Sequence, residues 1–346
     1  MAQSDKPGAI VQPPQLSRRM IIGLGLAAPT LGVPWLAGCS SGDPQVSPGV
    51  TSSTAPESSP AASQTPSPTA AEPHPLTAAA APEQGLAAVA ADILVGPQRK
   101  ELSKDRRKLV TFLQDAHTAH ARAIITPLPS HPPVKLGGQS LNSSLALLAR
   151  RENAAASRYR HAALQAEGLD ALLWGSLSLS AVSFAAALGA ADPPHTRRVG
   201  NRKPVEILTE VAAVQELVRQ LHAMVYGYQL ALGKMKVLSK QHATAERELL
   251  NQRIFRDRLI AWLRKHSAEV PAAEPAYVPS VVPRSPSTAG KLIMQMHTAV
   301  QPFCGLWLAA APDQAGRQQA LGALSAAMKT ARSWGAPLNA WPGWST

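Results

Sequence analysis

Along most of the chain, apolar residues recur at spacings of three and four. This is the period of an amphipathic helix, not the alternation of a half-buried strand. The clearest case is Ile207, Val211, Val214, Val218, Leu221, Val225, Tyr228 and Leu232, a 4-3-4-3 series. It predicts a helix over 207–232 with one continuous bundle seam. Helices over 243–265 (Leu250, Ile254, Trp262), 288–310 (Leu292, Met296, Val300, Phe303, Trp307) and 314–334 (Leu321, Leu324, Met328, Ala331) follow, with an irregular crossing over 271–286. Pro302 falls inside the third of these and predicts a kink there. The first half reads as helices over 82–94, 97–125, 141–167 and 169–188. Breaks lie at Pro132-Pro133 and at Pro193-Pro194. The expected fold class is all-α, in two helical bundles: an N-terminal region over 82–192 and a four-helix bundle over 203–346.

Residues 17–42, SRRMIIGLGLAAPTLGVPWLAGCSSG, break this periodicity. Two arginines precede an apolar run, and the run is rich in Gly and Pro, which suits an expendable signal better than a lasting helix. Ser17-Arg18-Arg19-Met20-Ile21-Ile22 resembles a twin-arginine export signal, with isoleucines in place of the more usual Phe-Leu. Leu36-Ala37-Gly38-Cys39 resembles a lipobox, the tetrapeptide ending in the lipidated cysteine of bacterial lipoproteins. A signal peptide over 1–39 with Arg18 and Arg19 as the export signal, lipidation at Cys39, and a Pro/Ser/Thr/Ala tether over 40–81 are therefore expected. The tether has too few large apolar side chains to offset the entropy of ordering it. These features place the protein on the extracytoplasmic face of the cell membrane, held there by the lipid on Cys39.

Composition narrows the partners. The chain has 34 Lys+Arg against 22 Asp+Glu, a formal charge of +12. Few aromatics accompany the basic residues, so nucleic acid is not expected. An anionic envelope polymer or a protein partner is. There are two cysteines. With Cys39 lipidated, Cys304 has no partner in the chain, and neither a disulfide framework nor a cysteine metal site can form. Its place at the edge of the stripe through 292, 296, 300, 303 and 307 predicts a buried, unreactive thiol.

Four segments carry a family resemblance: VQELVRQLHAMVYGYQLALGK (214–234), RIFRDRL (253–259), AYVPSVVPRSPSTAGKLIMQM (276–296) and ARSWGAPLNAWPGW (331–344). In that order they resemble a ferritin-like domain family of unknown function found mainly in actinobacterial secreted proteins and lipoproteins. The similarity spans about 204–344 and implies a ferritin-like four-helix bundle. Two positions depart from the family pattern. Leu221 stands at the family's first-helix glutamate, followed by a retained His222, and Gln252 stands at its second-helix histidine. A di-iron carboxylate centre also needs inward glutamates and Glu-x-x-His pairs, and no Glu-x-x-His occurs in the chain. The family's metal site is thus expected to be degenerate, and no cofactor is expected, with a di-iron centre as the alternative.

The remaining chemistry is sparse. His117 and His120 sit at i, i+3 on one helix face and offer two imidazoles to a metal. Glu152 shares the apolar face of Leu145, Leu148 and Tyr159, where a carboxylate needs a partner; Arg151 and Arg158 are the neighbours in sequence. His242 and Glu246, at i, i+4, read as a surface pair. Tyr228 lies on the seam, and its hydroxyl needs an acceptor. There is no Gly-rich phosphate loop and no Gly-x-Ser-x-Gly. The expected function is non-catalytic binding or scaffolding at the cell envelope. The alternative is an iron- or manganese-dependent oxidoreductase or metal-storage protein with an atypical site drawn from His117, His120, His222 and Glu152.

Overall fold

Ser, Thr and Asp residues set most of the helix starts. In the computed structural model, which describes residues 75–346, the hydroxyls of Ser103, Ser140, Thr209, Ser239 and Ser285 and the carboxylate of Asp313 each accept a backbone N–H from the first turn of the helix that follows. The helices are α1 (Pro75–Val95), α2 (Lys104–Ile124), α3 (Leu141–Gln165), α4 (Gly168–Leu188), α5 (Glu210–Leu232), α6 (Lys240–Lys265), α7 (Pro286–Ala299), α8 (Gln301–Ala310) and α9 (Gln314–Ser333). Among the described residues there is no β-strand, so the fold is all-α. The export signal at Arg18 and Arg19, the lipidation site at Cys39 and most of the tether lie outside the described residues.

Helices α1 to α4 form a closed bundle: α1 packs on α2 and α3, and α4 packs on α3 and α2. The later helices form a second bundle around α5, which touches α6, α7 and α8, while α9 packs on α7 and α8. Contacts of α4 with α8, and of α3 and α4 with α9, join the bundles into one core. At this junction a Cβ on Gly175 of α4 would lie 2.5 Å from Cδ2 of Leu308 of α8, so a larger residue there would require the leucine side chain to move. Similarly, a Cβ on Gly305 would collide with the backbone of Gly343, which brings the C-terminal segment flat against α8.

Several sequence expectations shift. The first helix starts at Pro75 rather than 82, carried by the Ala-rich run over 78–81, so Pro82 lies inside it. The helix expected over 97–125 divides: Pro97–Glu101 is a 3-10 turn, and Ser103 starts α2 anew. The helix expected over 288–310 breaks at Val300, because Pro302 has no N–H to continue the ladder. Ile207 lies outside α5 and is 55% exposed, whereas Val214, Val218, Leu221, Val225 and Tyr228 are buried as the seam requires. Leu250 and Ile254 are 56% and 42% exposed. The reason is that the backbone of α6 approaches α5 alone, so the face of Ala245, Leu249, Leu259 and Leu263 is buried while Phe255 reaches across to Trp307 of α8 and the opposite face stays open.

Candidate functional site

Inside the first bundle, four ionisable side chains meet where an apolar core would be expected. Glu83 comes from α1, His117 and His120 from α2, and Glu152 from α3; each is at most 1% exposed. His117 is held at both ring nitrogens. Its Nδ1 lies 2.7 Å from Glu83 Oε2 and its Nε2 lies 2.7 Å from Glu152 Oε1. His120 Nδ1 approaches the same Glu83 oxygen at 3.0 Å, and its Nε2 lies 2.8 Å from the Ala340 carbonyl oxygen. That carbonyl also accepts from Ser180 Oγ on α4 at 2.9 Å. Phe184 stands edge-on to His117, with ring centroids 5.6 Å apart, and Trp341 covers His120 at 4.6 Å. Two polar atoms in this region, Glu152 Oε2 and Tyr159 Oη, are buried without a partner.

The electrostatics follow from burial and charge pairing. Burial alone would lower the pKa of His117, but Glu152 and Glu83 flank the ring and raise it to about 10. Burial opposes ionisation of Glu83 as well, yet the two imidazoles override it and hold the carboxyl well below the usual range. Glu152 goes the other way: burial outweighs the attraction of His117, and its pKa rises. The Tyr159 phenol is pushed up by burial and by the charge of Glu83. In the protonated state His117 is an imidazolium clasped by two acidic side chains.

A second arrangement suits the same atoms. The Ala340 carbonyl can only accept, so His120 Nε2 carries its proton, and a neutral His120 then turns the Nδ1 lone pair towards Glu83. His117 can do the same, with Nε2–H donated to Glu152. An outer N–H held by a carbonyl or carboxylate is the usual support of a metal-ligating histidine. One ligand atom from each of Glu83, His117 and His120 lies within 4.8 Å of the others. The donor set fits a divalent ion with a preference for nitrogen and oxygen.

Of the residues singled out in the sequence, His117, His120 and Glu152 meet here. His222 does not: it lies in the second bundle, with Nε2 3.2 Å from the Pro271 carbonyl oxygen, and burial followed by Arg256 lowers its pKa. The partner of Glu152 is His117, not Arg151 or Arg158. Both arginines point to solvent, because neither i−1 nor i+6 shares the inward face. Glu83 was not legible as a ligand, since a helix starting at 82 makes it an ordinary first-turn acid. With the helix starting at 75, Ala80, Glu83, Leu86, Ala90 and Ile93 form one buried stripe. Tyr228 finds its partner in His297 Nε2 at 2.7 Å, Cys304 is buried, and His242 pairs with Glu246 at 3.3 Å.

Residues 213–346 match a family described as a domain of unknown function, DUF4439. The chain therefore carries a C-terminal domain similar to that family, spanning α5 to the final turns. No curated protein and no solved structure matches. The matched region contributes Ala340 and Trp341 to the buried cluster, but none of its four ionisable side chains.

Proposed function

We propose that this chain is a lipid-anchored cell-envelope protein that holds one divalent transition-metal ion, such as zinc, manganese or iron, through Glu83, His117 and His120. Its domain over 213–346 is read as ferritin-like, of the actinobacterial kind, with its own metal site degenerate. The observation that carries the reading is the shared target of the two histidines. Both Nδ1 atoms converge on one oxygen of Glu83, while both Nε2 atoms are occupied by Glu152 and Ala340. Charge balance agrees. Two carboxylates and two neutral imidazoles are neutralised by one divalent ion, just as they are by two protons. Loading the ion from the doubly protonated cluster therefore releases up to two protons, so affinity climbs with pH. A catalytic ion keeps an open coordination position. These side chains are sealed from solvent, which favours holding the ion over turnover.

Elemental analysis of the purified protein, followed by titration of the chelated form with zinc(II), manganese(II) and iron(II), tests the reading. The expected result is one equivalent bound in the wild type, a raised Tm on loading, and loss of both in Glu83→Gln. Full helicity with no metal uptake at pH 8 would leave the cluster as a purely protonic ion network and refute the proposal.

A further inference from the structure

At one end of the second bundle the chain holds large apolar side chains out in solvent. The α5–α6 connection, 233–239, is pinned by Met235, which is buried, and closed by a turn in which the Ser239 N–H donates to the Lys236 carbonyl at 3.1 Å. Its tip residues Val237 and Leu238 are 67% and 96% exposed. Leu238 has φ 66°, in the left-handed region where a turn normally places Gly or Asn. Backbone strain of this kind is typical of ligand clamps and switch regions. Lys234, Lys236 and Lys240 surround the tip, all exposed, and no Asp or Glu occurs from 217 to 245.

A second segment reaches the same end. The chain of α7 and α8 runs antiparallel to α5: His297 meets Tyr228 near the C-terminus of α5, and Trp307 meets Glu210 at its N-terminus. The start of α7, and the crossing before it, therefore lie towards the C-terminal end of α5. Tyr277 of that crossing packs against Tyr226, with ring centroids 5.7 Å apart. Next to it Val278 is 98% exposed, and Val282 and Arg284 are exposed as well. No Asp or Glu occurs from 275 to 312.

We infer that this end of the second bundle docks on an anionic lipid bilayer. Val237 and Leu238 enter the headgroup layer, Lys234, Lys236 and Lys240 meet the lipid phosphates, and Val278 and Arg284 widen the contact. An apolar tip ringed by cations matches the layering of such a surface, with hydrocarbon beneath a level of negative charge. A soluble polyanion would supply the charge but give Val237 and Leu238 nothing apolar to enter. The surface is independent of the Glu83 cluster and of acylation at Cys39, so each can fail alone.

The test uses the full-length chain carrying Cys39→Ser, so that no acyl chain contributes and the other native thiol, Cys304, is buried. Leu238→Cys is labelled with a nitrobenzoxadiazole dye, and Ser157→Cys, exposed on α3 of the first bundle, carries the control label. The apolar run over 20–38 is common to both proteins, so only the difference between the two labels is read. On phosphatidylcholine vesicles containing about 30% phosphatidylglycerol, the dye at position 238 is expected to shift to the blue and to be quenched by doxyl-labelled lipid, with the dye at position 157 unchanged. Apparent affinity should fall about tenfold when Lys234→Gln, Lys236→Gln and Lys240→Gln are combined, and again when salt is raised to about 1 M. No shift at position 238, an equal shift on pure phosphatidylcholine, an equal shift at position 157, the same shift with soluble polyphosphate alone, or undiminished affinity in the folded triple variant would overturn the assignment. The comparison of the two labels stands without the lysine variants.

Discussion

Replacing Glu83 with glutamine isolates the electrostatic part of the buried cluster, because the two side chains are nearly the same size. In the metal-free protein Glu83 Oε2 takes a hydrogen bond from the protonated His117 at Nδ1, at 2.7 Å, and lies 3.0 Å from His120 Nδ1. Bonds to a charged group each contribute about 1.5–3 kcal/mol, and removing one member of a buried ion pair typically costs about 3–5 kcal/mol. The two estimates overlap, so Glu83→Gln should lose about 3–5 kcal/mol. For a domain of this size that is a fall in Tm on the order of 6–20 °C. The assay is urea unfolding of the chelated protein near pH 6, followed by circular dichroism, with the m-value checked for two-state behaviour. Replacing the whole polar set with leucines should be far milder, because no charge is then left unpaired. A loss below about 1 kcal/mol for Glu83→Gln at unchanged m would mean that the cluster is not charged inside the fold, and the reasoning fails.

Other outcomes follow from the same structure. The raised pKa of His117 makes its contribution complete below its ordinary value of 6.5 and lost as pH climbs towards about 10. The metal-free protein should therefore weaken over that interval by urea midpoint, and divalent metal should reverse the trend. Glu83, with its depressed pKa, contributes in the opposite sense: its share is present above 4.5 and is lost as pH falls below it. The Cys304 thiol, fully buried and pushed up to about 12 by burial, should label slowly with a maleimide in the native state and rapidly in denaturant. Fast native labelling would show an exposed, reactive cysteine. Cys39→Ser should abolish acylation and move the protein out of the membrane fraction, as judged by mass and fractionation. Unchanged acylation would refute the anchor.

The helices were legible because their apolar spacing is a local signal, and a seam such as Val214–Val218–Leu221–Val225–Tyr228 can be read without knowing what it faces. Breaks tied to one residue were legible too, as at Pro302. What sequence could not supply is which helix lies opposite. Leu250 and Ile254 read as core positions because nothing local announces that the backbone of α6 approaches only α5. Glu152 was placed on a buried face correctly but given arginine partners from its own helix. Its actual partner, His117, comes from a helix 35 positions away in sequence. Glu83 was hidden by a boundary error of seven residues, since moving the start from 82 to 75 changes a capping acid into a core acid.

The Ala340 carbonyl that receives His120 and Ser180 has a consequence for the timing of assembly. His120 and Ala340 are 220 positions apart, and Ser180 and Ala340 are 160 apart. Contacts this distant carry the greatest loop-closure entropy and are disfavoured until the intervening chain is ordered. The first bundle can collapse early through its neighbouring helices. Its polar centre stays one acceptor short until the second bundle has packed and laid its final turn across α2 and α4. The finished cluster thus reports that the two bundles have packed together, and an ion held there would bind more tightly in molecules that have reached that point.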